Sequence, residues 1–211
     1  MSHYKLYPGD TTESMAALVP TAPRITAYSQ TNDRWAAFEY WPGYTLARYG
    51  CLICSYAMVA SQLYYSSAEP PTFARKLRDV GAISAGMVSN PARIPLAYPA
   101  LEWSGAVHWR KEAADMSFLN TELMQHGATI VELAYNPQKP VIYTDITGAV
   151  KYNTHFCVLT ELTGDDGMII DPIDGITKSL RLSRYALRTA WGASRIITGC
   201  RLLRIVKVSP D

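Results

Sequence analysis

The sequence predicts an α+β fold in which helices from the first half of the chain pack on an antiparallel sheet built from the second half. Three observations carry this. Between Cys51 and Tyr65, apolar Ile53, Ala57, Ala60 and Tyr64 recur at three-to-four spacing, the period of an amphipathic helix. From Ala128 onward the apolar residues fall instead in short strand-like runs. Between two of those runs, Gly164-Asp165-Asp166-Gly167 is a strong hairpin signal. The 211 residues suit one domain. A chain of that size buries roughly 70% of its unfolded surface and needs no covalent staples.

Taken in order, residues 1–24 carry Pro8, Gly9, Pro20 and Pro23 among small polar residues and read as a loosely held arm. Residues 25–211 form the single domain. Ile25–Gln30 alternates and predicts a short strand or extended entry, followed by turns at Asn32–Trp35 and Trp41–Tyr44. The helix from Cys51 comes next. Pro70 and Pro71 punctuate, and Thr72 can cap a second helix over Phe73–Val80, stopped by Gly81. Pro91, Pro95 and Pro99 mark a loop region, and Ala106–Arg110 reads as a strand. Asp115 or Ser117 can cap a helix through Phe118, Leu119, Leu123 and Met124, ended by Gly127. Strands are expected over Ala128–Leu133, Pro140–Thr144, His155–Leu162, Gly167–Ile170 and Arg195–Val208, with a turn at Tyr152-Asn153 and a last helix from Ser183 to Trp191.

Composition excludes several function classes. At 48% hydrophobic and 18% charged, the chain is an ordinary globular sequence. A net charge of +2, with no Lys/Arg run and no zinc-finger or RNA-binding pattern, argues against nucleic acid. No apolar run approaches the roughly 18 residues of a membrane span. Met1–Asp10 lacks a charged-then-apolar signal pattern, which predicts synthesis in the cytosol. The four cysteines are unevenly spaced and read as reduced thiols, not a disulfide framework. Fourteen tyrosines and five tryptophans are many for this length; they suit either core and rim packing or a surface that binds extended chains or sugars.

The chemistry concentrates in three places. Gly50 frees the backbone just before Cys51, so a thiol opens a helix, where the positive end of the helix dipole favours thiolate. His155 begins the apolar run His155-Phe156-Cys157-Val158-Leu159, and Asp171-Pro172 closes Met168-Ile169-Ile170. A distant histidine can pair with a thiolate in space, and a carboxylate can orient the histidine. Each residue alone has an ordinary reading: a buried helix cysteine, a strand histidine satisfied in the core, an aspartate starting a turn. Their order and their strand–turn–strand setting join them as nucleophile, base and orienting acid.

The segment Tyr28-Ser29-Gln30-Thr31-Asn32-Asp33-Arg34-Trp35, then Tyr49-Gly50-Cys51-Leu52-Ile53, Ser55 and Ala57-Met58, resembles the bacteriocin-processing (double-glycine leader) peptidase-like branch of the papain-like cysteine peptidases, in its small stand-alone bacterial or phage form. His155 opening an apolar strand, Asp171-Pro172 ahead of Gly175, and the lead from Leu119–Gly127 into Ile130-Val131 match the same pattern. The resemblance covers roughly residues 25–205. It implies a papain-like fold, with Cys51, His155 and Asp171 as a triad. Gln30 would join the Cys51 backbone N–H in an oxyanion hole, where each such donor is worth about 3 kcal/mol of barrier.

One departure is Cys54, where that family usually has Thr or Ser. Cys51-Leu52-Ile53-Cys54 thereby also reads as a redox dithiol or half a metal site, with His155 and Cys157, which share a strand face, as the other half of a Cys3His zinc set. The redox reading lacks a strand–Trp lead before the first cysteine. Cys200 reads as structural, and His3, His108 and His126 carry no assigned role.

The leading expectation is a cysteine peptidase or amidase hydrolysing a peptide or amide bond, with no cofactor and no structural metal. Cell-wall or leader peptides are the substrates such a family suggests. The expected location is cytoplasmic, or phage-encoded and released or virion-associated. The rivals are a catalytically silent papain-like module that grips an extended chain in the same cleft, and a Cys/His zinc-binding protein.

Overall fold

The computed structural model describes residues 24–109, 114–134, 142–144, 150–152, 154–164, 166–181, 187–188, 194–195 and 197–206. Residues 1–23 of the expected arm lie outside them. A small hairpin, β1 (Glu39–Trp41) and β2 (Tyr44–Thr45), turns through Pro42-Gly43. It leads into α1 (Leu46–Tyr49) and α2 (Cys51–Tyr64). Then come α3 (Pro70–Asp79), a second hairpin of β3 (Ile83–Ser84) and β4 (Met87–Val88), and α4 (Ile94–Ala97). β5 (Leu101–His108), α5 (Met116–His126) and β6 (Thr129–Ala134) follow. β7 (Ile142–Thr144) pairs with β8 (Val150–Tyr152). The chain then runs through β9 (Thr154–Thr163), β10 (Asp166–Asp171) and β11 (Ile176–Arg181). β12 (Leu187–Arg188) pairs with β13 (Ser194–Arg195), and β14 (Ile197–Ile205) returns through the sheet.

The protein is α+β. Its main sheet has six strands in the order β11-β10-β9-β6-β14-β5, every neighbouring pair antiparallel. Alternation along each strand divides the apolar residues between two cores. Ile130, Val158, Ile170 and Leu203 pack with Tyr56, Ala57, Met58 and Ala60 of α2 on one face. Val131, Cys157, Leu159, Ile169 and Cys200 pack with Leu119 of α5 on the other. α2 is buried almost all round, from Ile53 to Gln62, because α3 and the aromatic cluster of Phe73 and Tyr98 close its far side. Among the described residues the buried glutamates are paired: Glu122 takes the Arg204 guanidinium in a two-pronged contact, and Glu132 accepts from Arg201 at 2.8 Å. No helix among the described residues is long and apolar enough to cross a membrane.

Several elements depart from the sequence reading. Ile25–Gln30 is not a strand: its polar backbone is taken up by the Ser61 hydroxyl, which Thr26 N reaches at 2.8 Å, and by the Pro172 carbonyl, which Gln30 N reaches at 2.6 Å. α3 starts at Pro70 with Glu69 before it, so Thr72 lies inside the helix and does not cap it; proline suits a first turn whose N–H has no partner anyway. The proline-marked stretch contains a 3-10 turn at Pro91–Arg93 and the short helix α4. β5 starts at Leu101, five residues ahead of Ala106. Within the expected last helix Leu187-Arg188 is extended instead, and Ser183–Ala186 and Thr189–Trp191 lie outside the described residues. Asp115 does cap α5, accepting from Phe118 N at 2.9 Å, and Gly127 ends it in the left-handed region at φ 72°.

Candidate functional site

The junction of α1 and α2 places Cys51. α1 ends on Gly50, whose N–H returns to the Leu46 carbonyl at 2.8 Å, and α2 begins at once with Cys51. A Cβ on residue 50 would sit 2.4 Å from the Leu46 carbonyl oxygen, so only glycine lets the two helices meet this closely. Cys51 is partly exposed, whereas Cys54, Cys157 and Cys200 are buried. Burial, with the neighbouring Cys51 adding to it, pushes the Cys54 thiol far above its ordinary range. The pair Cys51/Cys54 is therefore split: one thiol faces the surface and the other is sealed in the core.

β9 brings His155 to the same place. Ser55, one turn into α2, donates its hydroxyl to the Phe156 carbonyl at 3.2 Å and so ties the start of the helix to the start of the strand. The Arg201 guanidinium, held by Glu132, lies 5.0 Å over the Phe156 ring and fixes it from the other side. His155 Nε2 and Asp171 Oδ1 are 2.8 Å apart. Burial alone would lower the His155 pKa. Its hydrogen bonds to Asp171, to Cys157 and to Cys51 outweigh that and push it up to about 12. The imidazolium is thus the favoured form at neutral pH.

Asp171 ends β10, on the strand face that carries His155 and Cys157 by the alternation of the β9–β10 ladder. Its Oδ1 also accepts from Ile173 N at 2.9 Å, and its carbonyl accepts from Gly175 N at 2.7 Å, so the carboxylate is held by its own turn. The loop bearing Gln30 is stitched onto that turn. Gln30 N donates to the Pro172 carbonyl, while the Ser29 and Thr31 hydroxyls donate to the Ile173 carbonyl at 2.9 and 2.7 Å. Gly175, at φ +71°, is what lets the turn lie against Ser29: a Cβ there would come within 3.1 Å of Ser29 N.

Gln30 is buried, and its Nε2 donates to the Ala47 carbonyl at 2.7 Å, one helical turn before Cys51. That bond fixes the amide's orientation, since exchanging N and O would set two acceptors against each other. Oε1 is buried and has no hydrogen-bond partner among the described residues. An orphaned buried acceptor costs about 1–3 kcal/mol.

The four predicted residues lie around one region: His155 bonds Asp171, Cys51 is near enough to help raise the His155 pKa, and Gln30 is locked to the Asp171 turn on one side and to α1 on the other. Two neighbours went unnoticed in that role. Cys157 lies in a close group, with one ligand atom each from His155, Cys157 and Asp171 within 4.8 Å of one another. Neither Cys51 nor Cys54 is in that group, so the rival Cys3His set does not assemble; the i, i+2 spacing of His155 and Cys157 was its one legible half. Tyr40 is the other: the burial and the nearby Cys51 thiol that raise its pKa reveal its position, and its hydroxyl lies between the Tyr49 and Gly86 carbonyls at 3.3 and 3.2 Å. Nothing local in the sequence links the first hairpin to Cys51.

The His155–Asp171 contact makes a signed prediction. A folded pKa raised above the unfolded value of about 6.5 contributes stability that is fully present below about pH 6.5 and is lost as pH rises toward 12. Asp171→Asn removes the largest cause of that rise. The titration midpoint of the His155 ring, followed by ¹⁵N NMR, should move down; an unchanged midpoint would show that Asp171 does not hold the imidazolium.

Comparison of this chain with protein-family models, with curated proteins and with solved structures found no match.

Proposed function

We propose that the chain is a papain-like cysteine peptidase or amidase. The observation that carries this reading is His155, hydrogen-bonded to the Asp171 carboxylate at 2.8 Å and close enough to the thiol of Cys51, at the start of α2, for that thiol to help raise its pKa. In this reading Cys51 Sγ attacks the carbonyl carbon of the scissile amide, and its proton resides on His155. The negative charge moves to the carbonyl oxygen, which the Cys51 N–H and the Gln30 Nε2–H stabilise. His155 then donates its proton to the leaving nitrogen, the C–N bond breaks, and a thioester remains on Cys51. Water, deprotonated by His155, hydrolyses that thioester and restores the thiol. Asp171 keeps the ring aligned through both transfers. Cell-wall or leader peptides are the substrates to screen first.

The direct test is thiol reactivity followed by turnover. Iodoacetamide at about pH 6, where an unassisted thiol is almost wholly protonated, should modify Cys51 first. Faster labelling of Cys54 or Cys157 would overturn the choice of nucleophile. Peptide and peptidoglycan-fragment libraries should then yield a cleaved amide.

Gln30 separates catalysis from structure. Gln30→Ala should lower kcat by roughly 10²–10³ and leave ground-state affinity nearly unchanged. It also frees the Ala47 carbonyl, at a stability cost of around 1 kcal/mol. Cys51 alkylation should persist. A folded variant with unchanged kcat would remove Gln30 from the oxyanion hole.

A further inference from the structure

Cys157 is a nucleophilic group beside His155 that the hydrolytic reading leaves unused. It is fully buried, it hydrogen-bonds His155, and with His155 and Asp171 it brings a sulfur, a ring nitrogen and a carboxylate oxygen within 4.8 Å of one another. Cys51 lies outside that group, although it is among the side chains that raise the His155 pKa. We propose that this centre takes one zinc ion reversibly, through Cys157, His155 and Asp171, and that the bound ion silences Cys51 by occupying the imidazole that serves as its base.

The donor set selects the metal. Calcium and magnesium take oxygen ligands, whereas thiolate with imidazole and carboxylate suits zinc. Around tetrahedral zinc, with bonds of about 2.0–2.3 Å, ligand atoms lie roughly 3.3–3.8 Å apart. The group spread over 4.8 Å closes onto that geometry with side-chain shifts of about 1 Å. Zinc takes the place of the proton between His155 Nε2 and Asp171 Oδ1 and of the Cys157 thiol proton, both released to solvent. The side chains of His155 and Asp171 keep 10% and 13% of their surface exposed, which gives the ion a way in past the partly exposed Cys51.

The site is inhibitory and not structural because the fold holds these residues without it: Ser55 ties β9 to α2, and Ile173 N holds the Asp171 carboxylate. Binding stands independently of the hydrolase reading; only its regulatory meaning rests on that reading.

The test uses the full chain. Zinc chloride is titrated against a chromophoric chelator, and Cys51 alkylation is followed by mass spectrometry. One zinc per chain should bind, slow Cys51 alkylation at least tenfold, and be reversed by EDTA. Cys157→Ala should weaken zinc at least tenfold, as should Asp171→Asn, while Cys54→Ala and Cys200→Ala leave the affinity unchanged. If Cys157→Ala fails to fold, Cys51→Ala loaded with cobalt should still show a thiolate charge-transfer band, from Cys157. Absence of that band, no bound zinc, or zinc that leaves Cys51 alkylation unaltered overturns the proposal. Zinc binding in a chain that cleaves no amide would leave the metal site standing and sink the hydrolase reading alone.

Discussion

Cys51→Ala is expected to abolish amide hydrolysis, lowering kcat by roughly 10⁴–10⁶ on any substrate the parent cleaves. The reasoning is that nucleophile, base and orienting acid act as a unit. Without a sulfur at residue 51, the imidazolium of His155 has no thiolate to have served, and no second cysteine can replace it. Cys54 is sealed in the core, and Cys157 is fully buried on the strand face it shares with the ring. His155→Ala should cost about as much, and the double variant little more than either single one, because removing one member already ends the shared step. Initial-rate measurements on all three variants, with circular dichroism to verify folding, decide the matter. Residual turnover within tenfold of the parent in Cys51→Ala would end the assignment of Cys51 as nucleophile.

Gly50→Ala carries the second large effect, and it acts through the backbone. The added methyl meets the Leu46 carbonyl oxygen at 2.4 Å, its Cα at 2.9 Å and its carbonyl carbon at 3.0 Å. All three are main-chain atoms of α1 and cannot swing aside as a long side chain would. Relief requires the α1–α2 junction to open, at about 1–3 kcal/mol for overpacking of this kind. Opening the junction also moves Cys51, and a displacement of about 1 Å from reacting geometry is worth roughly 10²-fold in rate. Gly43→Ala is the matching control: it too adds one methyl, at φ +78° but with nothing within 4 Å, so only backbone strain of about 1 kcal/mol applies and Cys51 stays in place. Urea unfolding together with Cys51 alkylation rates should separate the two. A Gly50→Ala protein as stable and as reactive as the parent would show that the junction is not rigid.

Much of this architecture was legible from short-range pattern. The helix from Cys51 follows from its three-to-four apolar spacing, and α5 from Asp115 at its start and Gly127 at its end. The β9–β10 hairpin follows from Gly164 to Gly167. In each case the deciding interactions lie within a few residues: a side chain capping the first turn, a glycine accepting positive φ, an apolar face of fixed period. The same locality explains the misreadings. Ile25–Gln30 alternates like a strand, yet its hydrogen-bond partners are Ser61 and Pro172, which pattern within the segment cannot reveal. The prolines at 91 and 95 read as marking a loop, but proline is tolerated in a first turn: a 3-10 turn begins on Pro91, and α4 begins at Ile94 with Pro95 second.

By itself, then, the sequence determined the α+β division, the thiol at a helix start, and a histidine and an aspartate at the ends of paired strands. Only the tertiary structure decided which groups meet. Docking the Gln30 loop on the Pro172–Gly175 turn, and Ser55 on Phe156, joins segments more than a hundred residues apart through individual hydrogen bonds that leave no periodic trace. It also decided that Cys54 is enclosed while Cys157 reaches His155 and Asp171. Whether a cysteine faces a core or a site depends on which helix covers that strand face, and burial of that kind is a property of packed layers, not of the spacing along the chain.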